Sequence, residues 1–320
     1  MMGEFELIRH YFAAAACARA GGEVVLGIGD DCALLALPAG EQLAVSSDTL
    51  VAGIHFPDSC DPYLLGQRAL AVSTSDLAGM GATPIGFTLA LTLPQADSSW
   101  LAEFARGLDT MAAGCAMRLI GGDTTRGPLS MTLTVFGRLP AGQGLLRSGA
   151  QPGDLLCVGG ALGDAAGALP FVLGEREQGT ADAAALLRRY WLPQPQLALG
   201  QALRGKASAA LDISDGLLAD CGHIAAASGV LLCIDQQTLP LSDALVRLAG
   251  ADQALQYGLS GGDDYLLAFT LPADELAGLQ GDGWPVHVIG HVAVGAGVQL
   301  RNADGQAIAL ANQGYNHFSG

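Results

Sequence analysis

Lysine is almost missing from this chain: Lys206 stands alone beside 14 arginines, and glutamate is scarce too, with 8 residues against 23 aspartates. Nucleic-acid proteins need clustered cations, and here 15 basic against 31 acidic residues give a formal charge of −16, so no nucleic-acid partner is expected. The seven cysteines (Cys17, Cys32, Cys60, Cys115, Cys157, Cys221, Cys233) contain no CxxC pair and are odd in number. That excludes a complete disulfide framework and most structural zinc patterns. Cys157 and Cys233 lie in apolar runs and are expected to pack as small hydrophobes. Residues 77 to 96 lack charge altogether, but they hold Pro84, Pro94 and three glycines, and the FTLALTL portion alternates. A strand fits that pattern better than a membrane helix. Glu4 and Glu6 stand where a signal peptide would be basic, so a cytoplasmic protein with no membrane partner is expected. Disorder is excluded, since half the residues are apolar and only 14% are charged.

What is present is glycine, 45 residues in 320, about double average usage, together with short carboxylates. A short carboxylate on a loop suits a hard cation such as Mg²⁺. The length suggests two domains. Glu4 to Ala20 places Phe5, Ile8, Phe12 and Ala16 at helical spacing, which predicts an opening amphipathic helix. PYLLGQRALAVS reads as helix, GFTLALTL as strand, and a helix from Ser98 or Ser99 carries Trp100, Leu101, Phe104, Leu108 and Met111 on one stripe. MRLIGGD and SMTLTVFG read as strands. Residues 138 to 153, rich in Gly and Pro, mark the expected boundary, giving domains 1–140 and 150–320. Strand-like and helix-like runs alternate beyond it, so the fold class is α+β or α/β.

Three motifs nearly fit known chemistry and fail. Gly200 to Ala207 misses a P-loop by one residue, because Ala207 lacks the hydroxyl that would bind Mg²⁺. Gly258-Leu-Ser260-Gly-Gly262 matches the GxSxG elbow but leads into a strand instead of a helix. His287 and His291 have metal spacing only on a helix, and their segment reads as extended.

What remains is a recurrence of Gly-, Ser- or Thr-flanked aspartates in six places: GIGDDCA (Asp30, Asp31), SSDTL (Asp48), STSDLAGMG (Asp76), GGDTTRG (Asp123), LDISDGLLAD (Asp212, Asp215) and GGDDY (Asp263, Asp264). Singly these are turn or N-cap chemistry. Most follow apolar runs, and runs lying side by side would gather several carboxylates at their ends, a cluster that repels itself unless cations fill it. Phosphoryl transfer needs such a site, because alignment and charge neutralisation supply most of its catalysis. Gly121 and Gly122 would let backbone N–H groups reach phosphate oxygens, and Arg126 and Arg147 are candidate phosphate clamps.

In this order the motifs GIGDDCA, SSDTLVAGIHF, ALAVSTSDLAGMGATP, LIGGDTTRGPLSMTLTVFG, RSGAQPGD, LDISDGL, LSGGDDY and GYNHF resemble bacterial thiamine-monophosphate kinases, of the aminoimidazole ribonucleotide synthetase-like superfamily. The resemblance implies ATP-dependent phosphorylation of thiamine monophosphate to thiamine diphosphate by direct in-line attack, in a homodimer. It implies a two-domain fold: an N-terminal mixed sheet with helices, binding ATP and Mg²⁺ and forming the dimer interface, and a C-terminal α/β layered domain completing the active site. It further implies that Asp31, Ser46, Ser47, Asp48, Asp76, Asp123, Asp212 and Asp215 hold magnesium ions. Gly122, Asp123, Arg147 and Ser214 would contact ATP, and His55, Asp263 and Tyr315 the thiamine monophosphate. No dedicated base or nucleophile is implied; catalysis would come from the magnesium–carboxylate cluster. One departure is plain: the family commonly has GGEDYE, where this chain has Gly261-Gly262-Asp263-Asp264-Tyr265-Leu266. Another synthetase of the superfamily and a non-catalytic divalent-cation-binding protein are the alternatives. Selenophosphate synthetase is disfavoured because it carries a reactive Cys and Lys near its N-terminus.

Overall fold

The computed structural model describes residues 4–308. The chain divides into two units, Met1–Leu77 with Ala82–Gly142, and Ala78–Gly81 with Gln143–Gly320.

The first unit opens with α1 (Glu4–Leu7), which passes into a wider helical turn over Ile8–Phe12 and stops. This is shorter than the helix expected to Ala20. The Ala13 N–H reaches back five residues to the Ile8 carbonyl, and the Cys17 N–H is taken by the Asp109 carboxylate at 2.7 Å. A tertiary acceptor thus replaces the helical one. Strands β1 (Val24–Leu26) and β2 (Leu34–Leu35) form a small ribbon. The main sheet contains β3 (Glu41–Val51), β4 (Thr83–Leu93), β5 (Arg118–Arg126) and β6 (Ser130–Pro140) in the order β3-β6-β4-β5. β4 and β5 run parallel and the other pairs antiparallel, so the sheet is mixed.

Helix α2 (Pro62–Gly79) precedes β4, and α3 (Ser98–Gly114) links β4 to β5. Pro62 takes the first helical position, where no N–H is needed, and Asp61 caps the Tyr63 N–H at 2.8 Å. Asp97 caps α3 through the Ser99 and Trp100 N–H groups. Leu101, Phe104, Leu108 and Met111 on the predicted stripe are buried, as are Met131, Leu133 and Val135 of β6. The two helices approach backbone to backbone at Gly66 and Gly107. A Cβ on Gly107 would overlap the Tyr63 carbonyl, and one on Gly66 would lie 3.0 Å from the Leu108 nitrogen. Gly107→Ala should therefore cost about 1–3 kcal/mol, read as a lower denaturant midpoint; an unchanged midpoint would show that the helices separate freely.

The second unit holds a seven-stranded sheet of β7 (Leu155–Val158), β8 (Ala209–Asp212), β9 (Leu231–Asp235), β10 (Leu267–Leu271), β11 (His287–Ala293), β12 (Gly297–Arg301) and β13 (Ala307–Ile308). Its order is β13-β12-β9-β11-β7-β10-β8, with only β9–β12 parallel. Helices α4 (Asp164–Val172), α5 (Ala181–Trp191), α6 (Leu197–Leu203), α7 (Leu217–Ser228), α8 (Asp243–Ala249), α9 (Ala251–Ser260) and α10 (Leu276–Gly281) complete it. Alternate strand residues serve opposite layers. Leu156, Val158, Leu211 and Ala268 join the Leu217, Cys221 and Ile224 side of α7, while Cys157, Ala210, Leu267 and Phe269 join Leu199, Leu203 and Leu279. Burial on both faces explains why these strands read as unbroken apolar runs. The near P-loop falls on α6 and the turn after it, GxSxG on the end of α9, and both histidines on β11. Ser260 donates back to the Gln256 carbonyl at 3.0 Å, as a helical serine does.

Candidate functional site

The aspartates of the first unit do not stand at the ends of strands, as the apolar runs before them suggested. Asp48 lies within β3, Asp123 within β5 and Asp76 inside α2. The helix runs on through Ser73-Thr74-Ser75, where the Ser73 hydroxyl donates to the Ala69 carbonyl at 3.3 Å and that of Thr74 to Leu70 at 2.6 Å, so these side chains are satisfied within the helix. Asp76 consequently faces β3, where the Ser46 hydroxyl donates to its carboxylate. Burial, and then the nearby Asp76 charge, push the Asp48 carboxyl up to about 6, against a hydrogen bond from Ser73. Strand alternation turns Ser47 to the other face, where its hydroxyl meets that of Thr134 at 3.0 Å. Ser46, Asp48 and Asp76 come together; the Ser47 side chain does not join them.

A second feature of this unit is a cavity of about 150 Å³ whose lining includes Asp30, Asp31, Gly121, Gly122 and Asp123, floored by Phe12, Leu89 and Ile120. It brings GIGDDCA and GGD, nearly a hundred positions apart, onto one space. Both Asp31 and Asp123 are exposed to solvent there. Gly122 has φ +149° and lies so close to β4 that a Cβ would overlap the Leu89 carbonyl. His55 sits in the turn after β3, where its Nδ1 accepts the Val51 N–H at 3.1 Å, which leaves Nε2 as the position that can carry the proton.

In the second unit LDISDG and GGDDY form one construction. The Asp263 N–H donates to the Ser214 carbonyl at 2.9 Å and the Tyr265 N–H to that of Ile213 at 2.8 Å. Beneath the first loop, Asp220 accepts the Ser214 and Asp215 N–H groups, both at 3.0 Å. Burial raises its carboxyl to about 6, opposed by those donors. Asp212 ends β8, buried, beside the half-buried Asp215. Asp264 turns inward and takes the Gly163 N–H on both oxygens at 2.9 and 3.0 Å; burial holds its carboxyl well above the ordinary range. Arg147 is exposed in a loop pinned by Ser228, whose hydroxyl donates to the Arg147 carbonyl and accepts the Gly149 and Ala150 N–H groups. Tyr315 lies outside the described residues.

Residues 29–139 match the model of the AIR synthase related protein N-terminal domain. Over 322 aligned residues the chain is 47% identical to the thiamine-monophosphate kinase of Escherichia coli (strain K12), covering 99% of this chain and 98% of that one. The chain belongs to the thiamine-monophosphate kinase family. A crystal structure of the thiamine-monophosphate kinase from Stenotrophomonas maltophilia K279a superposes with a TM-score of 0.83 at 46% identity, over 89% of this chain and 92% of that one. AaThiL complexed with AMPPCP and TMP superposes with a TM-score of 0.80 at 29% identity, over 88% and 89%.

In this member of the family the candidate site residues stand out in the sequence as motifs, but the residues that support them do not. Ser73 and Asp220 carry no functional signature, each an ordinary polar residue in a helix until the fold buries it. Asp264, grouped by its motif with the candidate cation ligands, is buried instead as the anchor of the Gly163 N–H. The signal that could have found Asp220 is its place one turn into α7, facing back to the loop before it. Within each unit, among the described residues, no three His, Cys, Asp or Glu side chains are arranged to hold a metal ion by themselves. Mg²⁺ does not require that: it is bound through one or two carboxylates, with waters and substrate phosphates completing the octahedron. Asp48, Asp76 and the Ser46 hydroxyl are a hard-oxygen donor set of that kind, and the elevated Asp48 carboxyl marks the uncompensated charge that a cation would relieve. The residues present fit the ion. Among the described residues no helix is long and apolar enough to cross a membrane.

Proposed function

We propose that this chain transfers the γ-phosphate of ATP to thiamine monophosphate, giving thiamine diphosphate, by direct in-line attack of the substrate phosphate. The observation that carries the reading is the meeting of Asp30, Asp31, Gly122 and Asp123 on one cavity in a member of this family. Exposed carboxylates beside a glycine backbone suit a metal-bound polyphosphate, with N–H groups close to phosphate oxygens.

Asp31, Ser46, Asp48, Asp76, Asp123, Asp212 and Asp215 would hold magnesium, with Ser47 joining through main-chain atoms only. The ions, when bound, neutralise charge on the transferring phosphoryl group. Gly122, Asp123, Arg147 and Ser214 bind the nucleotide; a guanidinium suits phosphate oxygens, and Arg147 is exposed to offer it. His55, Asp263 and Tyr315 bind thiamine monophosphate. The chain's own part is to orient both substrates; no base or nucleophile is required of it. Residues 1–140 form the domain for ATP, magnesium and dimerisation, and residues 150–320 supply the rest of the ligand set. Homodimerisation is supported by Leu43 and Val45, 44% and 54% exposed on β3, an edge strand of the first unit's sheet. The site of action is cytoplasmic.

Incubation with Mg²⁺, ATP and thiamine monophosphate should yield thiamine diphosphate and ADP in equal amounts. Absence of product, with turnover on another phosphate or amide acceptor, would assign the chain to a different reaction of the superfamily. Saturating Mg-ATP should raise the melting temperature by several degrees, because a ligand at a hundred times its Kd stabilises the folded state by about 2.7 kcal/mol. An unchanged melting curve would count against the carboxylate-lined cavity as the nucleotide site.

A further inference from the structure

Strands β7 and β10 pair antiparallel from Leu155 opposite Leu271 to Val158 opposite Ala268, and then part. One residue further the Gly159 N–H still donates to the Leu267 carbonyl at 2.9 Å. The reciprocal bond of such a pair, from the Leu267 N–H to the Gly159 carbonyl, is replaced by a side chain. The Gln196 carboxamide stands between them: its Oε1 accepts the Leu267 N–H at 2.8 Å, and its Nε2 donates to the Gly159 carbonyl at 2.7 Å. A primary amide carries acceptor and donor side by side, so it stands in for a peptide group while holding the two strands apart. The local sequence prepares this. Pro193 and Pro195 stiffen the chain before Gln196, which precedes α6 and sends its side chain to the junction instead of capping that helix. Gly159 leaves the room, since a Cβ there would lie 2.2 Å from the Gln196 Oε1.

From this junction the two chains diverge around one gap. β7 leads through Gly159 and Gly163 into α4, while β10 leads back to Asp264, whose carboxylate takes the Gly163 N–H at 2.9 and 3.0 Å and closes the far end. We infer that Gln196 is a positioning residue for thiamine monophosphate: its amide is a spacer that sets how far β10 stands from β7, and so where the turn before β10 carries Asp263. The inference rests on the reading of Asp263 as a substrate contact. Gly159 and Leu267 are both buried, so the two backbone groups cannot turn to water. With the amide gone they satisfy each other directly, the gap narrows, and Gly163 is drawn out of register with Asp264. The nucleotide side keeps a separate anchor, because Asp220 holds the Ser214 and Asp215 N–H groups, both at 3.0 Å. Loss of the spacer therefore acts on one substrate and spares the other.

Two single variants remove the spacer by different routes. Gln196→Ala deletes the amide, and Gly159→Ala expels it, since the nearest atoms a Cβ would meet all belong to Gln196. Assayed well below its melting temperature, each should raise the KM for thiamine monophosphate about tenfold, with kcat and the KM for ATP changed by less than about twofold. In the Gln196→Ala background Gly159→Ala should add less than about twofold, because nothing is left to expel. A full additional loss there would show that Gly159 acts other than through the amide and would overturn the spacer. Asp263→Ala separates the inference from the reading beneath it. If that variant leaves the KM for thiamine monophosphate unchanged, Asp263 is not a substrate contact and the inference falls with it. If Asp263→Ala raises KM while Gln196→Ala lowers only the melting temperature, Asp263 keeps its role and the positioning role of Gln196 alone is overturned.

Discussion

Asp48→Asn should lower thiamine monophosphate turnover by about a hundred- to a thousandfold while raising the melting temperature of the unliganded protein. The two effects have one cause. The Asp48 carboxyl is raised from 3.8 to about 6, chiefly by burial and then by the Asp76 charge, so the folded chain favours the uncharged form. A folded-state pKa above the unfolded one makes stability greatest at low pH. It then falls as the pH rises from about 4 to about 6 and stays low above that. At neutral pH this charge costs the unliganded chain about 1–2 kcal/mol, after discounting for the solvent that still reaches a half-buried group. Asparagine keeps the shape without the charge, so the variant should lose most of that decline. Added Mg²⁺ should stabilise the native chain and do much less for the variant. Melting curves at pH 4.5 and 7.5, with and without Mg²⁺, check all of this. Native turnover in Asp48→Asn would remove the residue from the magnesium set, and a lower melting temperature at pH 7.5 would contradict the desolvation argument.

Gly122→Ala should destabilise the first unit by about 2–4 kcal/mol, the range for overpacking combined with forced backbone strain. Gly122 pairs with Leu89 in the parallel β4–β5 register, and a Cβ there would overlap the Leu89 carbonyl and lie 2.7 Å from its carbon. Its φ of +149° adds strain for any side chain. Relief requires β5 to move away from β4, which would displace Asp123 and the cavity wall, so the melting shift with Mg-ATP should shrink as well. Gly121→Ala is the control. Its Cβ would meet only the Thr88 methyl at 3.6 Å, an ordinary contact, and stability should change by less than about 1 kcal/mol. Equal denaturant midpoints for the two variants would show that proximity to Leu89 does not constrain the motif.

Much of the local structure is legible in the sequence where one periodicity dominates. The α3 stripe follows from spacing alone, as do the alternating residues of β6, whereas the Asp97 cap is seen only in the folded chain. The second unit's strands are legible as strands but not as partners. Alternation of strand and helix suggests parallel pairing, yet six of the sheet's neighbours are joined by five antiparallel ladders and one parallel one, because register depends on which edges meet. The opening helix is overread: Cys17 bonds to Asp109, 92 residues away, and no local pattern reports such an acceptor.

The candidate site divides along the same line. By itself the sequence determines the chemistry, because residue type and spacing fix what each group can bind: short carboxylates beside glycine and hydroxyls, one lysine in no usable place, and arginine for phosphate. Tertiary structure alone decides which groups meet and in what state of charge. It sets Ser46 and Asp48 on one face of β3 with Asp76 and sends the Ser47 side chain to the other. It also buries Asp264 and Asp220 under loops they hold in place, and turns Tyr265 onto Asp263. The physical reason is desolvation: a carboxylate's role is set by how much water it keeps and which donors face it, and both are properties of the packed chain, not of any one segment.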